Sequence, residues 1–138
     1  MIDSTSGKIE LLGYEISSIL TRADFLNSLL SQDAKSVVEN PPYYSYSLSD
    51  SFSEKFTISP QFDGDNLVLV ELQFRMPTDD GGWGDWSEEN EKHRQLEQNR
   101  WLDSNIGKQR RFPWGTVESH YDSKGGYSSI LFKYGTSV

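Results

Sequence analysis

An alternation of apolar and polar side chains, preceded by a strong turn signal, constrains the fold of this chain more than any other feature. Within residues 67–76, one set of alternate positions is apolar throughout: Val68, Val70, Leu72, Phe74 and Met76. A period of two is typical of a half-buried strand in an antiparallel sheet. The turn residues 63–66 separate this run from a second alternating run, 56–62, so the two runs predict a hairpin. Pro60 in the second run indicates a sheet edge or a bulge, because proline cannot donate a ladder hydrogen bond.

Shorter runs supply the other strand predictions. They cover residues 8–16, 36–39, 43–48, 117–122 and 127–134, with the last two forming a terminal hairpin. Pro41 and Pro42 require a turn or a sheet edge before the run 43–48. Within that run, the alternation places Tyr44, Tyr46 and Leu48 on one side of the strand.

Two capping boxes predict two helices. Thr21–Asp24 opens a helix over residues 22–32, with Phe25 and the leucines on its inward face. Asp85–Glu88 opens a second helix that runs to about Ser104 and is ended by Gly107. The apolar face of this second helix is thin and consists of Leu96, Leu102 and Ile106.

These elements predict an α+β fold in one domain spanning residues 1–138. We expect a single antiparallel sheet of about five or six strands with two helices packed on one face.

The charge balance excludes some partners and favours others. The chain carries 21 acids against 13 bases, a net charge of −8, and such an excess argues against binding nucleic acid. It favours a basic protein partner, although solubility alone explains an acidic composition equally well. Cysteine is absent, which fits a reducing cytoplasm and rules out thiolate metal sites. Because there is neither a signal peptide nor an apolar run of membrane-spanning length, we expect a soluble cytoplasmic protein without a membrane partner.

No motif for catalysis, a metal or a cofactor stands out. Glu118, His120 and Asp122 fall on one face of a predicted strand and could form a metal site, but an exposed polar face explains the pattern better. The acidic loop 79–85 lacks the ligand spacing of a calcium loop. A Ser-His-Asp signature is also missing, so the sequence predicts no enzyme, no cofactor and no metal.

All four tryptophans lie between residues 83 and 114, in or beside the most acidic part of the chain. Trp86 and Trp114 are predicted to belong to the core, whereas Trp83 and Trp101 could be either core or binding residues. Trp101 points away from the apolar face of its helix, so it either packs on a second surface or is partly exposed. The predicted partner-binding surface comprises Asp79, Asp80, Trp83, Asp85, Glu88, Glu89 and Trp101. The basic patch of Lys108, Arg110 and Arg111 is the next candidate.

The tryptophan-rich part of the chain also resembles a known type of protein. The resemblance rests on Trp83, on residues 86–89, on Arg100–Leu102 and on the run from Phe112 to Ile130. Together these segments resemble small acidic bacterial immunity proteins of polymorphic-toxin and contact-dependent inhibition systems. The resemblance implies a non-catalytic cytoplasmic protein that neutralises a cognate, basic toxin domain by binding it. A small-ligand-binding domain and a structural or regulatory module are the alternatives.

Overall fold

The computed structural model describes residues 2–3, 5–11, 14–28, 34–48, 56–74, 88–122 and 127–135. Within these residues the chain forms ten strands and two helices, and the strands belong to two antiparallel sheets.

The smaller sheet contains three short strands near the start of the chain. They are β1 (Ile2–Asp3), β2 (Lys8–Leu11) and β3 (Tyr14–Ile16), in that order. The prediction of one strand over residues 8–16 is wrong, because Leu11 pairs with Tyr14 and the two halves of that run form an antiparallel pair.

The larger sheet contains seven strands. In spatial order they are β4 (Lys35–Asn40), β5 (Tyr43–Ser47), β6 (Phe56–Asp63), β7 (Asn66–Phe74), β10 (Tyr127–Tyr134), β9 (Gly115–Asp122) and β8 (Arg111–Phe112). The predicted strands near residues 36–39 and 43–48, the central hairpin and the terminal hairpin are confirmed. The predicted α+β fold with a single sheet of five or six strands is wrong, because the described chain is mostly β and has a seven-stranded sheet and a separate three-stranded sheet. Two-residue strands such as β1 and β8 are too short to produce a periodic pattern.

A bulge in the central hairpin changes which side chains face the core. Phe62 pairs with Leu67 but Gln61 pairs with Leu69, so Val68 is an extra residue on its strand. As a result Leu67 is buried and Val68 is 37% exposed, although the alternation predicted the reverse. The extra residue lies on β7, whereas Pro60 on β6 is paired in register with Val70. The pairing of β5 with β6 also stops at Gln61, next to the residue that has no N–H.

The first helix, α1 (Arg22–Leu26), begins as predicted and ends early. The Thr21 hydroxyl accepts a hydrogen bond from the Asp24 N–H at 3.0 Å, which confirms the cap. The helix ends at Leu26 rather than residue 32, and residues 29–32 of the prediction lie outside the described chain. Phe25 is fully buried, whereas Leu26 is 44% exposed.

The second helix, α2 (Glu88–Ile106), ends as predicted at Gly107, whose φ of +72° favours glycine. The predicted cap residues 85–87 lie outside the described residues. Leu102 is fully buried, but Leu96 is 46% exposed, so the predicted apolar face is wrong at that position. The buried residues of this helix recur at a spacing of three or four: Glu91, Arg94, Gln98 and Leu102. Three of these four are polar, which is why apolar periodicity did not locate the inward face.

One hydrophobic cluster joins the two sheets and the two helices. It includes Ile9 and Ile16 from the smaller sheet, Val70 and Phe132 from the larger sheet, and a residue from each helix. Among the described residues, no helix combines the length and the apolar character needed to cross a membrane.

Candidate functional site

The predicted partner-binding residues lie around the start of α2. Asp79, Asp80, Trp83, Asp85 and the side chain of Glu88 lie outside the described residues, as does Trp86. Glu89 is exposed in the first turn of α2. Trp101 is half-buried three turns further along the helix.

Trp101 packs against the larger sheet. Its ring meets the ring of Phe74 edge to face, with the two centroids 5.8 Å apart and the planes at 78°. Phe74 is the last residue of β7, so Trp101 contacts the sheet at the end of that strand. Trp101 therefore packs on a second surface and is also partly exposed.

Gln98 fixes the same end of β7. Its side chain is completely buried, and its Oε1 accepts a hydrogen bond from the Phe74 N–H at 3.3 Å. Its Nε2 has no hydrogen-bond partner within the described chain, and neither has the buried Oγ of Ser119. Buried polar atoms without a hydrogen-bond partner are uncommon in native interiors. The contact of α2 with the sheet therefore contains polar side chains as well as apolar ones.

Glu91 fixes the start of α2 to the other half of the sheet. Its Oε2 accepts the Ser128 N–H at 3.0 Å, and its backbone carbonyl accepts the Ser128 hydroxyl at 2.7 Å. The other carboxylate oxygen pairs with Arg94, and both side chains are buried. A buried carboxylate is tolerated when it has a charge partner and hydrogen-bond donors, and Glu91 has both.

The described residues on either side of residues 75–87 are thus held by packing contacts. Gln98 and Trp101 contact Phe74, and Glu91 near the start of α2 bonds to β10. We call residues 79–91 the acidic segment; it contains six acids and no base.

The basic patch at the far end of α2 is largely paired internally. Asp103 accepts hydrogen bonds from Lys108 Nζ at 2.5 Å and from Arg110 Nη2 at 2.7 Å. The hydrogen bond from Lys108, followed by the one from Arg110, lowers the pKa of Asp103 below its usual value. Two of the three cations that made this patch the next candidate surface are thus already engaged.

Trp114, which was predicted to belong to the core, is half-buried and packs against the core. Its ring stacks on Phe112 with the centroids 5.0 Å apart and lies 5.6 Å from the ring of Tyr134. A Cβ at Gly7 would lie only 2.4 Å from this indole, so the position requires glycine. The Tyr134 hydroxyl donates to the Gly7 carbonyl at 2.9 Å, and burial raises the pKa of Tyr134.

The histidine cluster considered as a metal site lies on an exposed strand face. His120 and Glu118 are exposed, and Glu118 pairs with Lys133 at 3.2 Å. The side chain of Asp122 lies outside the described residues. Within the part of the chain that the structure describes, no three His, Asp or Glu side chains are grouped so that they could hold a metal ion.

A second feature, which the sequence did not indicate, lies on the β5–β6 half of the larger sheet. A shallow pocket of about 150 Å³ is lined there by Tyr43, Tyr44, Ser45, Gln61, Phe62 and Val68. The Arg22 guanidinium carbon lies 3.6 Å from the centre of the Tyr44 ring. Alternation had placed Tyr44 and Tyr46 on one side of their strand, but no local pattern connects an arginine to a ring 22 positions away.

Comparisons with family models, with curated proteins and with solved structures each returned no match.

Proposed function

We propose that this protein is a non-catalytic, cytoplasmic protein-binding domain that acts as an immunity protein and neutralises a cognate toxin domain by direct contact. The acidic segment and the first turn of α2 form the binding surface, and the partner is basic there. The observation that carries the proposal is that the described residues flanking the segment are held in place, Phe74 by Gln98 and Trp101, and Glu91 by Ser128.

The anchoring matters because ordering a binding segment opposes association. A segment with fixed ends loses less conformational freedom on binding than one attached at a single end, so more of the contact energy appears as affinity. The buried polar contacts of α2 also hold the helix in one position on the sheet. Polar contacts that must be matched are well suited to that role.

The charges support a basic partner. Apart from Glu91, whose charge is buried and paired with Arg94, five acids without a base produce a local negative field, which accelerates encounter with a positive surface. At the other end of α2, Lys108 and Arg110 are bound to Asp103 and add little opposing field. Glu89, at the acidic end of α2, is exposed and can contribute its charge to this negative field.

The first test is growth protection. The protein is co-expressed in bacteria with the toxin domain encoded beside its gene, and survival is compared with and without it. Restored growth together with a stable complex supports the proposal. Full toxicity in the presence of folded protein, with no complex on gel filtration, contradicts it.

The second test locates the surface by binding kinetics at several salt concentrations. Asp79, Asp80 and Asp85 are changed together to asparagine, and the matched control changes the exposed Glu10, Glu15 and Glu39 to glutamine. We expect only the first variant to associate more slowly and with weaker salt dependence, because steering depends on local charge.

Trp83→Ala separates anchoring from steering within the same segment. An aromatic anchor acts after encounter, so this change should raise the dissociation rate and leave the association rate nearly constant. Unchanged rates in both Trp83→Ala and the triple variant would remove the acidic segment as the interface while leaving toxin neutralisation open to the growth test.

A further inference from the structure

We infer that the face of the larger sheet turned away from the core carries a saccharide-binding site, formed where β5, β6 and β7 lie side by side. The ligand is an uncharged pyranose ring, which stacks on Tyr43 and is hydrogen-bonded by Ser45 and Gln61. This site is separate from the acidic segment and does not depend on the function proposed above.

Strand pairing brings these side chains onto one face of the sheet. Residues paired across antiparallel strands project on the same side, and Ser45 pairs with Gln61, which in turn pairs with Leu69. Tyr43 lies two positions before Ser45 and therefore on the same side. Phe62, which follows Gln61, is buried, so the core lies on the opposite side. The pocket of about 150 Å³ that these residues line is thus open on the solvent face.

The bulge in β7 adds an apolar wall to this pocket. Val68 is the extra residue of its strand, so it lies on the same side as Leu69 and opposite to the buried Leu67. Regular alternation would instead place Val68 and Leu69 on opposite faces. Bulges often re-aim a side chain next to a functional site, and here the re-aimed Val68 is 37% exposed and lines the pocket.

The chemistry of the lining selects the class of ligand. Among the described residues that line the pocket, no side chain is charged, so an ion would lose hydration there without gaining a counter-charge. A wholly apolar ligand would cover the polar groups of Ser45 and Gln61 without replacing their hydrogen bonds to water. The ligand that fits is neutral, with an apolar face and hydroxyls around its rim. A pyranose has this form, because its axial C–H groups make a flat apolar face from whose edge the hydroxyls project.

Tyr43 supplies the surface on which that apolar face stacks. Its side chain is 56% exposed, whereas Tyr46 of the same strand is 5% exposed and belongs to the core. The negative face of an aromatic ring attracts the weakly positive C–H groups of a sugar. Ser45 and Gln61 lie side by side on neighbouring strands, so their hydroxyl and amide groups reach hydroxyls of one ring. A cavity of this volume accommodates a single six-membered ring.

The probe is methyl β-D-glucopyranoside, titrated into the full chain and followed by NMR chemical shifts. We expect saturable shifts centred on Tyr43, Ser45, Gln61 and Val68, with a Kd of about 1 mM, because a shallow site of this kind binds weakly. Phenol, a ring of similar size without the rim of hydroxyls, should bind more weakly than the glycoside. The triple asparagine variant of the acidic segment should bind the glycoside like the unaltered protein.

Variants of the pocket then test the two kinds of contact separately. Tyr43→Ala should raise the Kd roughly tenfold, whereas Tyr43→Phe, which keeps the ring, should bind nearly as well as the unaltered protein. Gln61→Ala should also weaken binding, because it removes the amide hydrogen bonds. Leu96→Ala, a change at an exposed apolar residue of α2, is the matched control and should leave binding unchanged.

The spectrum of each variant reports whether its fold is kept. If Tyr43→Ala loses the fold, Gln61→Ala decides, and an unchanged Kd in that variant contradicts the site. Absence of saturable shifts with the glycoside, phenol binding at least as tight as the glycoside, or equal effects of Tyr43→Ala and Leu96→Ala would each overturn the inference.

Discussion

The two helices are attached to the same core by opposite kinds of contact. On the α1 side, the ring of Phe25 lies 5.1 Å from the ring of Tyr46 and 5.5 Å from that of Phe62, measured between centroids. On the α2 side, the first two turns present the buried Glu91 and Arg94, which bond to each other, and Glu91 also bonds to Ser128 of β10. The short helix is held by apolar area, and the long helix is held at its start by matched polar groups.

This difference separates stability from positional specificity. Burial of aromatic rings stabilises strongly but tolerates small shifts, because dispersion and the hydrophobic effect have little directionality. A buried carboxylate contributes less net free energy, yet it is satisfied in only one arrangement. We therefore expect the α1 side to dominate the free energy of unfolding and the α2 side to set the position of the acidic segment.

Phe25→Ala should give the largest loss of stability. Removing a fully buried aromatic ring leaves a cavity between Tyr46 and Phe62, and the free energy of unfolding should fall by about 3–5 kcal/mol. Urea denaturation measures the loss. Phe25→Leu, which keeps an apolar side chain, should cost clearly less. A loss below about 1 kcal/mol for the alanine variant would show that α1 is peripheral to the core.

Glu91→Gln should have a smaller effect on stability. The amide keeps the size of the side chain but removes the charge opposite buried Arg94, and we expect a loss of about 1–3 kcal/mol. Glu89→Gln, at an exposed position of the same first turn, is the matched control and should be nearly neutral.

Hydrogen exchange then distinguishes a local effect from a global one. If Glu91 positions the start of α2, exchange should accelerate at the Ser128 amide and in the first helical turn more than in β7. A uniform acceleration across the sheet would mean that Glu91 only adds to global stability.

The ion pairs of Asp103 predict that the stability of the folded protein depends weakly on pH, and only at acidic pH. Hydrogen bonds from Lys108 and then Arg110 lower the pKa of this carboxyl in the folded protein below the ordinary value of 3.8. A lowered folded pKa means that the stabilisation is complete above about 3.8 and is lost as the pH falls through the folded pKa. NMR titration of the Asp103 carboxyl checks the direction, and Lys108→Ala should raise its pKa more than Arg110→Ala. An Asp103 pKa at or above 3.8 would contradict this account.

Local signals in the sequence located the elements whose determinants are local. Alternation and turn residues identified the β6–β7 hairpin, and the hydroxyl of Thr21 identified the start of α1. The bulge at Val68 reversed the facing of Leu67 and Val68, because one extra residue puts the alternation before it out of step with the alternation after it. The smaller sheet was missed because its strands have two to four residues.

The candidate site was less predictable because its contacts join distant parts of the chain. Glu91 has a local charge partner in Arg94, but the backbone donor that completes its buried site, Ser128, lies 37 positions away in β10. The sequence left open whether Trp101 packs on a second surface or is partly exposed, and identifying its partner Phe74 required the fold. The role predicted for the acidic segment stays a prediction, since most of its residues lie outside the described chain.

Leu96→Ala should have the smallest effect and tests most directly which face of α2 is turned inward. Apolar periodicity assigned Leu96 and Leu102 to the same buried face, but Leu96 is 46% exposed and Leu102 is fully buried. Replacing Leu96 should change the free energy of unfolding by no more than about 0.5 kcal/mol, because little buried area is lost and alanine favours helix. Leu102→Ala on the same helix should cost about 2–5 kcal/mol. Equal losses for the two variants, measured by urea denaturation, would mean that α2 is rotated toward its apolar residues and that Glu91, Arg94 and Gln98 do not form its contact with the sheet.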